Sequence, residues 1–228
     1  MIKFEHEKVT GWEEAVRGTR NSFNSWDKSD SSYSTTEGTP GAVALGYEDL
    51  KLMAKLAKAG PSHSKFRRML VVYVDVTAPL YWWKEYDTYK VGTVANSCST
   101  MHTLHEKEFE MADFSYEEMP KATEVLVPVT TYLGDQALFS PRGFLMLIIK
   151  MLNECRATYL RTNDKRYWWS MIQLLPESYN QKRTLLLNYE VLAKIYKERK
   201  SHKLDEWNKF RSWIESLPYS RELICSEL

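Results

Sequence analysis

FRRMLVVYVDVTAPLYWWKEYDTYKVGTVANSCSTMH, residues 66–102, joins an apolar run directly to a crowded polar segment. Met69 to Val76 is β-branched and apolar on both faces apart from Asp75, which predicts a central strand. Ala78-Pro79 breaks that run, and Pro79 suits the first turn of a helix carrying Leu80, Trp83 and Tyr86 or Asp87. Ionisable and aromatic residues follow, then small polar ones around Asn96 and Ser99. A rigid apolar element that ends in dense polar chemistry is good support for a binding site. The stretch is therefore predicted to form the floor and rim of one.

Around this strand the sequence predicts mostly helix. Residues 2–9 alternate loosely and suit a strand, and Thr10 with Glu13 forms a capping-box pair for a helix that includes Trp12 and Val16. Asn21 to Gly46 is Ser, Asn, Asp, Thr and Gly with almost no large aliphatics, a long polar loop in which Trp26 and Tyr33 favour folding over something. Tyr47 to Ala59 is amphipathic, with Leu50, Met53, Leu56 and Ala57 on one face, and Gly60-Pro61 stops it. An acidic patch, Glu106 to Glu118, precedes a strand expected within Ala122 to Leu133 from the alternation of Val125, Val127 and Val129. Ser140-Pro141 caps a helix through Cys155, with Phe144 to Ile149 as its core turn. Further helices are predicted at Asp164 to Leu174, Gln181 to Arg199 and Leu204 to Leu217. The sum is an α+β fold, a small sheet with a helical C-terminal half, in one domain over residues 1–228.

Composition narrows the partners. The 31 basic and 30 acidic residues nearly cancel, so no global field draws the chain to nucleic acid or to a membrane surface. Cys98, Cys155 and Cys225 are too few and too scattered for a disulfide framework or a structural zinc site, which suits a reducing compartment. The N-terminus has no apolar signal region and no run is long enough to cross a bilayer, so a cytoplasmic protein is expected. Eight Trp and fourteen Tyr suit a deep core, an oligomer interface or a planar ligand.

Several constellations carry chemistry. Lys84, Glu85, Asp87 and Lys90 with Tyr86 and Tyr89 either converge on an anionic ligand or form a solvated helix face. On a continuous helix Lys84 would share a face with Thr88, and Tyr86 with Lys90. Two adjacent indoles, Trp82 and Trp83, are not expected to face one core, which points one of them at a ligand ring. Residues 92–100, GTVANSCST, offer small donors to a phosphate or make a capped turn. No Walker loop and no GxGxxG occurs. Cys98, His102, His105 and Glu106 match no strong metal signature, so no metal is expected. The basic run Lys194 to Lys203 suits either a phosphate or a helix C-terminus.

Two separated segments together resemble the flavin-dependent thymidylate synthase (ThyX) family. In the first, Gly60, His63, the strand at Met69 to Val76 and Ala78-Pro79 lead into DTYKVGTVANSCSTMH, in the order of the family's helix end, Gly-His, strand, Ala-Pro and Arg-His-Arg-x-x-Ser-x-Asn-Glu-x-Ser-x-Arg-Tyr signature. In the second, Leu175-Pro176, Thr184, Asn188, Leu192, Arg199, His202 and Glu206 follow the family's Leu-Pro, Thr, Asn-Leu-Arg, Leu, Arg and His-Ala-Gln-x-Glu landmarks. An Arg near the end of the first helix, Arg17 or Arg20, is shared as well. The polar loop 21–46 and an insertion-like segment, 106–140, complete the chain. With Asn96 on the signature Asn, Ser99 falls on its second Ser, Ser97 on its Glu, and Tyr89, Lys90 and Val91 on Arg-His-Arg; a one-residue slide leaves Lys90 again the only cation of the three. The Arg of Asn-Leu-Arg is Glu190 here, a reversal of charge.

The resemblance implies a mostly antiparallel sheet flanked by helices, FAD as cofactor, dUMP as substrate, methylenetetrahydrofolate and NADPH as co-substrates, and a homotetramer. It implies cofactor-binding roles for His63, Tyr89, Asn96, Asn188, Arg199 and His202, catalytic roles for Lys90, Glu190, Ser97 and Ser99, and substrate contacts for Lys84 and Trp83. A pyrimidine nucleotide is the expected partner, with no nucleic acid and no membrane. The other reading is a non-catalytic scaffold of the same fold that binds or regulates.

Overall fold

The strand expected at Met69–Val76 is present as Val71–Pro79, but only one of its faces is fully buried. Val72, Val74 and Val76 are buried while Tyr73 is 43% exposed, so the run alternates like the strand of a sheet with one wet face. In the computed structural model, which describes residues 2–33, 43–120, 124–130 and 134–227, the order is β1 (Lys3–Thr10), α1 (Trp12–Arg20), β2 (Ser32–Tyr33), β3 (Val43–Ala44), α2 (Tyr47–Lys58), β4 (Val71–Pro79), α3 (Leu80–Tyr86) and β5 (Val94–Ser97). There follow β6 (Val127–Thr130), β7 (Gln136–Phe139), α4 (Pro141–Thr162), α5 (Lys165–Leu174), β8 (Asn180–Asn188), α6 (Tyr189–Glu198), α7 (Asp205–Ser216) and α8 (Ser220–Leu223). The fold is α+β with a small antiparallel sheet. The chain divides into two compact units, a sheet unit of residues 2–76, 85–96 and 183–228 and a helix-pair unit of residues 77–84 and 97–182.

In the sheet unit the strand order is β1-β4-β8-β5, which puts β4 inside the sheet. Asp75 marks its wet face, taking hydrogen bonds from Thr184 at 2.6 Å and from His6 Nδ1 at 3.1 Å, one partner on each flanking strand. The helix expected from Gln181 to Arg199 is instead a strand, β8, followed by α6. Leu185, Leu187 and Tyr189 are buried at every second position, a period of two hidden by the Leu185-Leu186-Leu187 run. Asn188 ends the strand by capping α6, its side chain accepting from the Val191 amide at 3.0 Å.

The capping box expected at Thr10 does not form. Thr10 is the last residue of β1, and Gly11 takes the cap position with φ +88°. A side chain there would bring Cβ within 2.0 Å of the Met69 carbonyl oxygen, so only glycine fits. The core is aromatic: Phe4 stacks on Trp213 at 4.9 Å, Trp12 meets Tyr189 and Tyr219 edge-on, and Trp207 and Phe210 of the expected α7 stripe are fully buried.

Asp49, on α2, is wholly buried and organises the start of the polar 21–46 segment. Its Oδ1 accepts from Arg20 Nε at 2.6 Å, and its Oδ2 accepts from the hydroxyls of Ser29 and Ser31 and the amides of Asp30 and Ser31. Arg20 is therefore a structural anchor. Trp26, expected to fold over a neighbour, is half exposed and bonds locally to Asn21. Residues 34–42 of the predicted loop lie outside the described residues.

In the helix-pair unit α4 and α5 pack on residues 104–119 around Leu104, Phe109, Phe114, Leu145, Leu152 and Met171. Ser140 caps α4 as predicted, accepting from the Gly143 amide at 3.1 Å, and the helix runs past Cys155 to Thr162. Its expected core turn is split: Leu145 and Ile149 are buried, while Phe144, Met146 and Leu147 are 50%, 59% and 42% exposed. The strand sought within 122–133 is β6, paired antiparallel with β7 in the register Val127↔Phe139; residues 121–123 and 131–133 lie outside the described residues. No helix among the described residues is long and apolar enough to cross a membrane.

Candidate functional site

The polar segment after β4 does not continue as helix. α3 ends at Tyr86, and the Thr88 hydroxyl and Tyr89 amide close a turn on the carbonyls of Glu85 and Tyr86. The helical pairings Lys84 with Thr88 and Tyr86 with Lys90 are consequently absent. The turn instead brings Glu85 and Tyr89 to residues that follow α6, all within the sheet unit. Arg199 donates through Nη1 to Glu85 Oε2 at 2.7 Å and through Nε to the Tyr89 hydroxyl at 2.8 Å. Tyr89 in turn donates to Glu198 at 3.0 Å. His202 Nδ1 accepts from the Leu204 amide at 3.2 Å, so its Nε2 carries the proton directed at Glu85 Oε2, 3.2 Å away. Beneath them lies the buried Trp207 ring, 4.4 Å from the Arg199 guanidinium carbon.

Burial pushes the Tyr89 phenol up; the Arg199 bond opposes this and the Glu198 bond adds to it. Burial also raises Tyr86 and Tyr189, and burial with the Glu215 bond raises Tyr196. Phenols with raised folded-state values contribute stability that is complete below the unfolded value of about 10 and is lost as pH climbs through the folded values. Melting temperature is thus expected to hold from about pH 8 to 9.5 and to fall above roughly pH 10. A thermal melt series by circular dichroism checks this, and an unchanged melt at the most alkaline points would contradict the buried phenols.

Beside this cluster, still within the sheet unit, lies a cleft of about 990 Å³, at the upper end of the roughly 300–1,000 Å³ of small-molecule sites. The end of α2 supplies Lys58, the turn after Gly60-Pro61 supplies Ser64 and Arg67, and one face of α6 supplies Glu190, Lys194 and Lys197. Ser64 donates to Glu190 Oε2 at 3.3 Å. Glu198 also lines the cleft, so one carboxylate faces it and receives the Tyr89 bond. Lys58, Lys194 and Lys197 stand against Glu190 and Glu198, an excess of positive charge suited to an anion, while Arg67, 2% exposed, is part of the cleft wall.

Of the predicted residues, Tyr89, Arg199 and His202 come together, and Glu190 lines the cleft. Asn188 lies close to the Gly92 carbonyl, 3.5 Å away, while capping α6. His63 is exposed in the turn before Ser64, and Lys90 and Asn96 are exposed, Asn96 on the edge strand β5. Lys84, Trp83, Ser97 and Ser99 belong to the helix-pair unit. There Lys84 pairs with Glu177, and the Ser99 hydroxyl accepts from the His102 amide at 3.1 Å. Trp83 is no stacking surface: Trp82 and Trp83 are both buried, edge to face at 4.9 Å, with the Trp83 indole donating to the Gln181 carbonyl at 2.9 Å. Among the described residues no group of three or more His, Cys, Asp or Glu side chains could hold a metal.

Sequence reasoning missed Glu85 as the partner of Arg199, and Lys58 and Ser64 as lining residues, while Lys194 and Lys197 come from the basic run singled out for a phosphate. The α6 face was readable: positions 190, 194 and 197 share a helix side once the helix is known to start at Tyr189.

No protein-family model matches the sequence, and no curated protein matches it. Solved structures match its fold. The flavin-dependent thymidylate synthase ThyX of Helicobacter pylori, complexed with FAD and dUMP, aligns over 100% of this chain and 99% of its own at 20% identity, with a TM-score of 0.64. The UMP/dUMP methylase PolB of Streptomyces cacaoi, bound with 5-Br UMP, aligns over 100% of this chain and 94% of its own at 13% identity, with a TM-score of 0.56. The chain has a divergent ThyX-like fold.

Proposed function

We propose that the protein binds a pyrimidine deoxynucleotide in the cationic cleft and acts on its ring in the manner of a flavin-dependent thymidylate synthase, methylating dUMP to dTMP or making a related modification. The observation that carries this reading is the meeting of Tyr89 with Arg199 and His202 around Glu85, next to a cleft lined by four cations. Two structures of the same fold, one with FAD and dUMP and one with 5-Br UMP, support it.

The donor set fits FAD. A phenol, a guanidinium and an imidazole within hydrogen-bonding distance of shared partners match the acceptors of a pyrophosphate and of a flavin ring edge. Tyr89, Arg199 and His202, with His63, Asn96 and Asn188, are the residues that would hold it. FAD supplies hydride-carrier chemistry that no side chain provides. The chain's own part is positioning. Lys58, Lys194 and Lys197 neutralise phosphate, with Lys90 as a further cation, and Glu190 with Ser64 meets the base. Lys84, Trp83, Ser97 and Ser99 take no part in this reading. Methylenetetrahydrofolate as carbon donor, NADPH as electron source and assembly as a homotetramer complete the proposal.

A second reading, a nucleotide-binding scaffold without flavin chemistry, is favoured by the engagement of Arg199 Nε with Tyr89 and of its Nη1 with Glu85. A thermal-shift screen against dUMP, dCMP, dUTP and FAD separates the two. Nucleotide at about a hundred times its dissociation constant should raise the melting temperature by roughly 5–10 °C. FAD should co-elute on gel filtration with its visible absorbance. A nucleotide shift without FAD uptake moves the protein to the second reading, and no shift with any nucleotide refutes both.

A further inference from the structure

We propose that the solvent face of α4, with the apolar recess at its start, docks a second copy of this chain about a two-fold axis. The homotetramer put forward above has no assigned surface, and this face supplies one; it does not depend on the nucleotide reading. α4 buries Leu145, Ile149 and Leu152 in the core of the helix-pair unit. Away from them Phe144, Leu147 and Met151 are exposed. Spacings of three and four put these three on one side of the helix, the pattern of a seam along which two helices pack.

The start of the same helix forms a hole. Val125, Val127 and Val129, alternate residues leading into and along β6, join Phe139, Pro141 and Phe144 around a recess of about 320 Å³. Ser140 is its one polar lining residue, and that hydroxyl is engaged in capping α4. Met151 is the knob, an unbranched side chain that adapts to an irregular gap. It lies seven positions from Phe144, about 10 Å along the helix axis. An antiparallel pairing of two copies therefore puts each Met151 at the other's recess, with Leu147 beside the two-fold axis. Such self-complementarity is what an isologous interface requires.

The area suits a protein partner. Val125, Val127, Phe144, Leu147 and Met151 are 42–53% exposed. Together they offer on the order of 400 Å², close to the apolar share, roughly 56–65%, of the about 800 Å² that one partner gives to a standard interface. A lipid surface is the poorer fit. Helices that lie on membranes carry cations along the polar flank, whereas the line of Phe144, Leu147 and Met151 runs on into Glu154, exposed and acidic.

Sedimentation of the full chain tests this at roughly 100 μM, where an interface of micromolar strength is saturated. The wild type should sediment as a dimer or larger. Met151→Asp, which places a charge in the apolar recess of the other copy, should lower the particle mass at least about twofold at the same concentration. Met151→Leu should keep it. Met151 is exposed, so the aspartate variant should retain its fold, and circular dichroism checks that it does. Geometry is read by oxidation in a Cys98→Ser background, which removes the exposed thiol. Leu147→Cys should then give a disulfide-linked dimer, and Leu160→Cys, thirteen positions along the helix, should not. A Met151→Asp protein that keeps the wild-type mass, or a Leu147→Cys protein that fails to cross-link, overturns this face and leaves self-association standing. A monomeric wild type overturns both, and if that monomer also co-sediments with phosphatidylcholine vesicles the face belongs to lipid instead.

Discussion

Replacing Asp49 by alanine should cost about 3–5 kcal/mol of stability and lower the melting temperature by on the order of 10 °C. The size follows from what is left behind. Arg20 is 4% exposed and would keep a charge with its carboxylate gone, and the four donors now directed at Oδ2 would lose their acceptor together. Asp49→Asn keeps the shape and one acceptor oxygen, so it should recover part of the loss. The pH dependence has a definite sign. Burial pushes the Asp49 carboxyl up, but the bonds from Ser31, Ser29, Arg20 and the Asp30 amide outweigh it and hold the group below the ordinary aspartate value. A carboxyl depressed in the folded state contributes fully above its unfolded value of about 3.9 and loses that contribution as pH falls through the folded value. The acid limb of the wild-type stability curve should therefore be steeper than that of Asp49→Ala. Urea unfolding at neutral pH and between about pH 2 and 5 measures both effects. A variant within about 1 kcal/mol of the wild type would mean the buried pair adds little.

Arg199→Ala should cost roughly 2–3 kcal/mol, from the charged hydrogen bond to Glu85, the bond to Tyr89 and the contact with the Trp207 ring. The figure stays at the low end because 39% of the Glu85 side chain remains in solvent, which screens the pair. Arg199→Lys keeps the charge but cannot span Glu85 and the Tyr89 hydroxyl with one ammonium, so it should recover less than half. Flavin uptake supplies the functional arm. If Arg199 holds FAD, Arg199→Ala abolishes uptake and Glu85→Gln, which loosens the competing carboxylate, raises it. If the network is only a structural pin, Glu85→Gln lowers stability and leaves uptake unchanged. Equilibrium dialysis with FAD on the three variants distinguishes these outcomes.

The parts of the fold legible in the sequence are those where local chemistry and packing agree. The β-branched run at Val71–Val76, the amphipathic α2 and the Ser140-Pro141 start of α4 each carry their own signal and are found where expected. β8 was misread because Leu185, Leu186 and Leu187 satisfy either period, and only pairing in the sheet selects the extended one. The two indoles were misread for a related reason. Adjacent residues diverge on an isolated helix, but α3 is covered deeply enough to bury both. At the site, order and spacing foresaw that Tyr89 would belong with Arg199 and His202. They did not foresee Glu85 or Asp49 as the groups that hold two of the arginines, because each pairing joins residues far apart in sequence with no local trace.

Glu198 sits at a junction, one oxygen receiving the Tyr89 hydroxyl and the other 3.9 Å from Lys194, which lines the cleft. An anion that draws Lys194 away changes what Glu198 can offer Tyr89, and with it the company Arg199 keeps. Thermodynamic reciprocity then runs the other way with equal strength: whatever rearranges the aromatic pile around Trp207 must alter the grip on the anion by the same factor. Any ligand bound at either place would be coupled to the other through that one shared carboxylate.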